Sequence, residues 1–302
     1  MTDPARLVLG TAQLGMAYGV ANTSGRPDAQ ASAALVRAAW DHGIRYFDTA
    51  QHYGASEAVL GACLDAMPDP QEARVVTKLA PTRDFATPEA VAAAVRESRQ
   101  RLGLERLEGV MLHAESRLDA WDRVFAPGFA TLAASGEIVS SGVSLYAPRR
   151  ALEALDRPGC SIIQIPANVL DRRFEREGVF AKAARRGARV FVRSVFLQGL
   201  LLMEPAALPP GLAAAAGFLD RYRGLCRRFG LSPRTLALAY ARERYPEACI
   251  LFGAETPAQV LQNVADWNHV LPHGAMTAVE AAFAEEAPEE VVNPSLWDIL
   301  RK

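Results

Sequence analysis

The feature that most limits the fold of this chain is an alternation repeated along its whole length. Short apolar, β-rich runs are each followed by a stretch of helical periodicity. The runs fall at residues 7–10, 45–48, 74–78, 108–113, 140–145, 161–165, 189–194 and 249–253. Several are nearly unbroken apolar stretches, as in "RYFDTA", "RVVTKL", "SIIQI" and "RVFV". Parallel strands read this way when helices cover their outer face. Helical spacing occupies 30–41, 88–101, 119–134, 148–155, 175–186 and 257–267. The longer stretch 211–244 holds two helices divided at Gly230, with Ser232-Pro233 as a fresh start. Thr87 before Pro88 is another helix opening, with Pro in the first turn. Gly43, Gly103, Gly136 and Gly187 stand where a helix must end in left-handed backbone before the next strand.

Eight strand–helix units leave two architectures, a closed (β/α)8 barrel or a doubly wound open sheet. An open sheet that binds a dinucleotide carries G-x-G-x-x-G between an early strand and the helix it enters. Here "LGTAQLGMAYG" sets Gly10, Gly15 and Gly19 off that spacing, and no helix is expected at once after the first strand. The expectation is therefore an α/β TIM barrel, one domain over 1–302 with 287–302 as a C-terminal tail. A length of 302 residues suits that fold.

Charge and cysteine usage exclude several classes of partner. Lys plus Arg number 33 against 34 Asp plus Glu, for a net charge of −1. No basic block of the kind nucleic acid demands is present. The first residues lack the basic-then-apolar layout of a signal peptide, and no apolar run approaches the ~20 residues that span a bilayer. Cys63, Cys160, Cys226 and Cys249 are widely spaced in apolar or helical context. They read as reduced thiols, neither a disulfide frame nor a zinc site. A cytoplasmic protein without membrane, nucleic-acid or metal partners is expected.

In a barrel, side chains at the C-terminal strand ends converge on one mouth. The second run ends in Asp48, with Tyr53 five residues on; the third ends in Lys78 and the fourth in His113. An ammonium beside a phenol favours the phenolate, so Lys78 is expected to lower the Tyr53 pKa, with Asp48 keeping Lys78 charged. His113 would hydrogen-bond the oxygen that gains or loses the proton. Taken singly, Asp48 and Lys78 read as a plain ion pair and His113 as a satisfied buried histidine. Together at one rim they read as an acid–base site.

"GIRYFDTAQHYGASEAVLG", "VVTKL" and "GVMLH" carry these four residues in an order and spacing that resemble the tetrad of the aldo-keto reductase superfamily. The resemblance covers nearly the whole chain. It implies reduction of an aldehyde or ketone, or of a sugar-derived carbonyl, by NADP(H), with Tyr53 as general acid. Asp48, Tyr53, Lys78 and His113 would be the catalytic residues. In "SGVSLYAP" and "IIQIPANVLDRR" it implies that Ser144 and Gln164 contact the nicotinamide carboxamide. In "RVFVRSVFLQGLL" it places Arg193, Ser194 and the loop from Phe196 to Gly199 along the cofactor. In "ILFGAETPAQVLQN" it places Gly253, Glu255 and Gln259 at the adenosine phosphate end, and Gln262 and Asn263 near the adenine.

Three departures bear on the cofactor. Leu145 stands where Asn commonly follows the Ser, and Arg193 where an aromatic residue often stacks on nicotinamide. Gly253, Ala254, Glu255 and Gln259 stand where members that bind NADP(H) usually carry Lys or Arg. Glu255 suits a ribose hydroxyl, as in NAD(H) sites, so NAD(H) is the alternative cofactor. Two other functions follow: an NAD-dependent dehydrogenase oxidising a sugar hydroxyl, and a nucleotide-binding regulatory subunit with little turnover. Ala12 stands where many members of the resembled family carry a bulky aromatic, which implies a roomy pocket, and the loop at 13–27 should line the mouth with Tyr18 and Asn22. His42, His52, His269 and His273 are expected in loops or at the surface, and Trp40, Trp121 and Trp267 in the core. Trp297 would either fold over the mouth or pack elsewhere.

Overall fold

Each strand run meets apolar neighbours on both faces, and that two-sided burial builds the barrel. The computed structural model describes residues 4–20, 22, 25–285 and 287–297. Its elements in chain order are β1 (Leu7–Gly10), α1 (Ala12–Gly15), α2 (Ala29–Asp41), β2 (Tyr46–Asp48), α3 (Ser56–Asp65), β3 (Arg74–Leu79) and α4 (Pro88–Leu102). Next come β4 (Leu107–Leu112), α5 (Ala126–Ala134), β5 (Ile138–Ser144), α6 (Pro148–Ala154), β6 (Cys160–Pro166), α7 (Arg173–Arg176) and α8 (Val179–Arg186). The chain continues through β7 (Arg189–Arg193), α9 (Ala216–Phe229), α10 (Pro233–Arg244), β8 (Cys249–Gly253), α11 (Pro257–Trp267), α12 (Ala275–Ala282) and α13 (Glu289–Val292). The eight strands pair in sequence order, all parallel, and β8 returns to β1 to close the barrel.

Val8, Tyr46, Val76, Met111, Ile162, Phe191, Cys249 and Leu251 fill the inside of the barrel as one buried cluster. A larger core lies between strands and helices and takes in Trp40, Trp121 and Trp267. At the N-terminal end of the barrel, Arg189 donates to the Tyr46 hydroxyl at 2.7 Å and pairs with Glu108 at 2.5 Å. That network is remote from the strand C-termini, where a barrel of this kind does its chemistry.

The expected helix starts and stops are seen. The side chains of Thr87 and Ser232 accept hydrogen bonds from Ala90 N and Thr235 N. Gly43, Gly103, Gly136, Gly187 and Gly230 all take positive φ. Four expectations need correction. A short helix, α1, does follow β1 at once, because Leu14 and Met16 close its turn onto Thr11 and Ala12. α3, α12 and α13 lie outside the helical stretches expected from the sequence; in α3 and α12 small residues dilute the apolar spacing. The helix expected at 175–186 is broken at Gly178, whose φ of 74° ends α7 and begins α8. The stretch expected as one helix at 119–134 starts in 3-10 and π turns and becomes α-helical only at Ala126.

Cys63, Cys160, Cys226 and Cys249 are free thiols, Cys160 being only half-buried. No helix among the described residues is long and apolar enough to cross a membrane. Of the stretch expected as a tail at 287–302, residues 287–297 are described and include α13; residues 298–302 lie outside the described residues, as do 21, 23 and 24 of the loop at 13–27. Trp297 is buried, donates to Glu290 O, belongs to the same buried apolar cluster as Leu197, Leu201 and Leu212, and does not line the cleft at the mouth.

Candidate active site

Strand periodicity explains which side chains reach the mouth. Side chains two apart on a strand share a face. Asp48, Lys78, His113, Gln164 and Arg193 each stand two residues beyond a barrel-filling residue, namely Tyr46, Val76, Met111, Ile162 and Phe191. The same parity aims all five into the barrel, one layer nearer its C-terminal end.

Lys78, with 0% exposure, donates to Asp48 Oδ1 at 2.5 Å and to Thr49 O at 3.1 Å. Gln164 Nε2 donates to Asp48 Oδ2 at 2.7 Å, so both carboxylate oxygens are engaged. The Lys78 ammonium lies 5.2 Å from the centre of the Tyr53 ring. The His113 ring meets the same ring edge-on at 5.4 Å. The structure thus gathers Asp48, Tyr53, Lys78 and His113 at one place, with a buried ion pair beneath a phenol and an imidazole.

The Tyr53 loop is fixed by close packing. Gly15 of α1 lies so near it that a Cβ at residue 15 would stand 1.7 Å from Tyr53 O. From the other side, a Cβ at Gly54, whose φ is 55°, would stand 2.5 Å from Gly15 O. Ser56 donates to Thr11 O at 2.7 Å, and Gln51 is tied to Ala94 O, Ser98 and Ala80 N. These bonds explain how a loop holds the phenol in one position.

Burial pushes the Tyr53 phenol well above its ordinary value of 10.0; the Asp48 carboxylate adds to the rise and the Arg193 guanidinium opposes it. This reverses the expectation that Lys78 would bring the phenol down. The ammonium is neutralised by Asp48 at contact distance, so desolvation of the phenolate wins. Burial also lowers the Lys78 pKa, against the opposing pull of Asp48. His113 is pushed down to about 3, first by burial and then by the charges of Lys78, His52 and Arg193. It is a neutral imidazole, and its buried Nδ1 has no partner among the described residues. The arrangement can hold a proton on Tyr53 until a stronger base arrives, with a neutral His113 beside it.

From Tyr53 a cleft extends across the ends of β1, β6, β7 and β8 to α11. Gln164, Arg193, Ser194, Phe196, Gly199, Gly253, Glu255, Gln259 and Asn263 all line it, as do Ala12, Tyr18 and Asn22. Two of the expected contacts are not brought in. Ser144 is buried beside Gln164 in the sheet and does not line the cleft. Gln262 is exposed on α11 and donates to Asp266 at 3.2 Å. Helical rotation separates it from its neighbour Asn263, which faces inward.

Other residues take roles that sequence did not suggest. The Arg193 guanidinium lies 4.0 Å from the Tyr146 ring centre and donates to Leu145 O at 3.2 Å. Gln259 Oε1 accepts from Glu255 N at 2.6 Å. A side chain at 253 would bring its Cβ within 2.5 Å of Gln13 Nε2, so Gly253 makes room for that amide. His52, expected at the surface, is exposed but stands 6.3 Å from the His113 ring. A second hollow beside His113 is lined by Glu115, Tyr146, Arg173, Asn293 and Ser295. Arg234 of α10 also lines the long cleft and was missed, because nothing in "LSPRTLAL" marks it apart from other helix arginines.

The cleft suits an extended polar ligand. Two buried side-chain oxygens in its wall, Asn263 Oδ1 and Gln198 Oε1, have no partner among the described residues. Ser194 and Gln198, also in the wall, take φ of 61° and 53°, which costs ~1–3 kcal/mol per non-glycine residue and is typical of ligand-gripping loops. Orphaned acceptors and strained backbone in one groove fit an extended ligand that carries hydrogen-bond donors better than bulk water.

Comparison with known proteins agrees. The pattern of the Aldo/keto reductase family matches residues 6–284. The chain is 28% identical to the D-threo-aldose 1-dehydrogenase of a Pseudomonas species, over 87% of this chain and 92% of that one. It is 28% identical to the NADH-specific methylglyoxal reductase of Escherichia coli strain K12, over 75% and 79% of the two chains. Its fold resembles that of an aldo-keto reductase from Bacillus halodurans in the holo form, with a TM-score of 0.77 at 22% identity over 95% of each chain. A family pattern matched over nearly the whole of a closed parallel barrel places the chain in the aldo/keto reductase family, and it is an oxidoreductase.

Proposed function

We propose that the protein reduces an aldehyde or ketone, sugar-derived carbonyls included, using NAD(P)H, with Tyr53 as the proton donor. The observation that carries this reading is the Tyr53 phenol, held beside the Lys78–Asp48 pair and a neutral His113 at one end of a long polar cleft. A bound reduced nicotinamide would supply the hydride. Gln164 and Arg193 would border the nicotinamide, the loop from Ser194 to Gly199 the diphosphate, and Glu255, Gln259 and Asn263 the adenosine. The neutral His113 would donate to the substrate oxygen and orient the carbonyl. As negative charge grows on that oxygen, the Tyr53 proton passes to it, and Lys78 stabilises the phenolate left behind. A phenol whose pKa stands high keeps its proton until that moment, which favours reduction.

The first test is titration of the protein with NADPH and NADH, followed by quenching of its tryptophan fluorescence. Saturable binding of at least one reduced dinucleotide is expected, and binding of neither would remove this reading. Glu255 favours a second reading, NAD-dependent oxidation of a sugar hydroxyl, because a carboxylate accepts from a ribose diol and repels a 2′-phosphate. The similarity to an aldose 1-dehydrogenase points the same way. Initial rates in both directions with both cofactors separate the two.

The glycine contact at the Tyr53 loop yields a further expectation. Gly15→Ala must push the loop backbone away, and a displacement near 1 Å at a reacting group costs about 10²-fold in rate. Carbonyl turnover should fall by about that factor while dinucleotide affinity holds. Equal turnover in the variant would show that the loop yields without moving the phenol.

A further inference from the structure

The cofactor end of the cleft lacks the Lys or Arg that the β8–α11 segment would be expected to supply, yet a cation from elsewhere reaches it. Arg234 lines the cleft together with Glu255, Gln259 and Asn263. It lies in the first turn of α10, and its neighbour Thr235 is bonded to Asp266 of α11 at 2.7 Å, which fixes that turn against the adenosine side. α10 also packs on the turn Leu197–Leu202 that follows β7. Arg234 therefore stands between the proposed diphosphate loop and the proposed adenosine pocket.

Three observations argue that its guanidinium serves a ligand. It is half-buried and makes no hydrogen bond, ion pair or ring contact among the described residues, unlike Arg193, which is stacked on Tyr146. A cation in the first turn of a helix opposes the helix dipole, so it does not serve the stability of α10. The same groove contains the unpartnered Gln198 Oε1 and Asn263 Oδ1. An unpaired, pre-positioned guanidinium has five donors in a planar fork, which matches phosphate oxygens.

We propose that Arg234 is the phosphate-binding cation of the dinucleotide cleft, replacing from α10 the basic residues absent at Gly253, Ala254 and Gln259. This rests on the dinucleotide reading above. The phosphate is either the 2′-phosphate of NADPH or the diphosphate common to both cofactors, and two ligands tell them apart.

The test compares the parent protein, Arg234→Gln and Arg234→Lys by fluorescence titration with NADPH and with NADH. Removing a charged hydrogen-bond donor should weaken binding ~10- to 100-fold in Arg234→Gln, with much of the loss restored in Arg234→Lys. A loss confined to NADPH assigns the guanidinium to the 2′-phosphate and makes Arg234 the residue that admits NADPH. An equal loss for both assigns it to the diphosphate. Unchanged affinity in Arg234→Gln, or a Lys variant as weak as the Gln variant, overturns the proposal. Failure of the dinucleotide reading shows separately, as no binding by the parent protein, and overturns both.

Discussion

Tyr53→Phe is expected to cut carbonyl reduction by about 10³-fold, within the 10²- to 10⁴-fold range of a positioned general acid. The substitution removes one hydroxyl and keeps the ring, so the edge contact with His113 at 5.4 Å and the approach of Lys78 at 5.2 Å survive. Dinucleotide affinity should therefore be unchanged, and single-turnover hydride transfer should fall with kcat. Of the four residues gathered here, Tyr53 is the one placed to give up a proton, because His113 is neutral and the Lys78 ammonium is held by Asp48. Turnover within a few-fold of the parent would remove Tyr53 from the chemistry and leave the tetrad a structural cluster. Raising the pH should not reproduce the loss until strongly alkaline conditions, since the phenol titrates well above its ordinary value.

The second large effect concerns the pair beneath it. Lys78 and Asp48 are both buried, at 0% and 3% exposure, and are joined at 2.5 Å. Removing one partner strands the other charge in the barrel, which costs ~3–5 kcal/mol. Lys78→Met should lower stability by that amount in a urea titration, and Asp48→Asn should do similar damage. The double variant leaves no buried charge and should recover most of the loss, giving a coupling of ~2 kcal/mol or more in the cycle. Turnover should stay lost in all three. Recovery of stability without recovery of rate is the outcome that separates a working pair from a structural one. Additive destabilisation instead would mean that Lys78 and Asp48 do not depend on each other.

Much of this molecule can be read from local pattern. The barrel strands declare themselves as apolar runs because each is buried on both faces, and the helix ends because Thr87, Ser232 and the positive-φ glycines carry their signals within a few residues. Asp48, Lys78 and His113 were legible for a related reason: each is a charged or polar residue at or just beyond the end of an apolar run, in step with the barrel interior. α3 and the break at Gly178 were not, since small residues blur helical periodicity and one glycine looks like another until its φ is known.

The sequence by itself determined that the strands would be parallel and covered by helices, that the barrel rim would bear an acid, an amine and an imidazole, and that Tyr53 would sit on the adjoining loop. Tertiary structure alone decided that Gln164 engages Asp48, that Gln262 faces solvent while Asn263 faces the cleft, and that Arg234 reaches the cleft from a different helix. It also decided the direction of the Tyr53 shift, up where the sequence suggested down. The reason is common to all of these. A strand or a cap is set by residues within one or two turns of each other. The partner of a buried charge and the dielectric around a phenol are set by chain segments tens to hundreds of residues apart, which the folded barrel brings together.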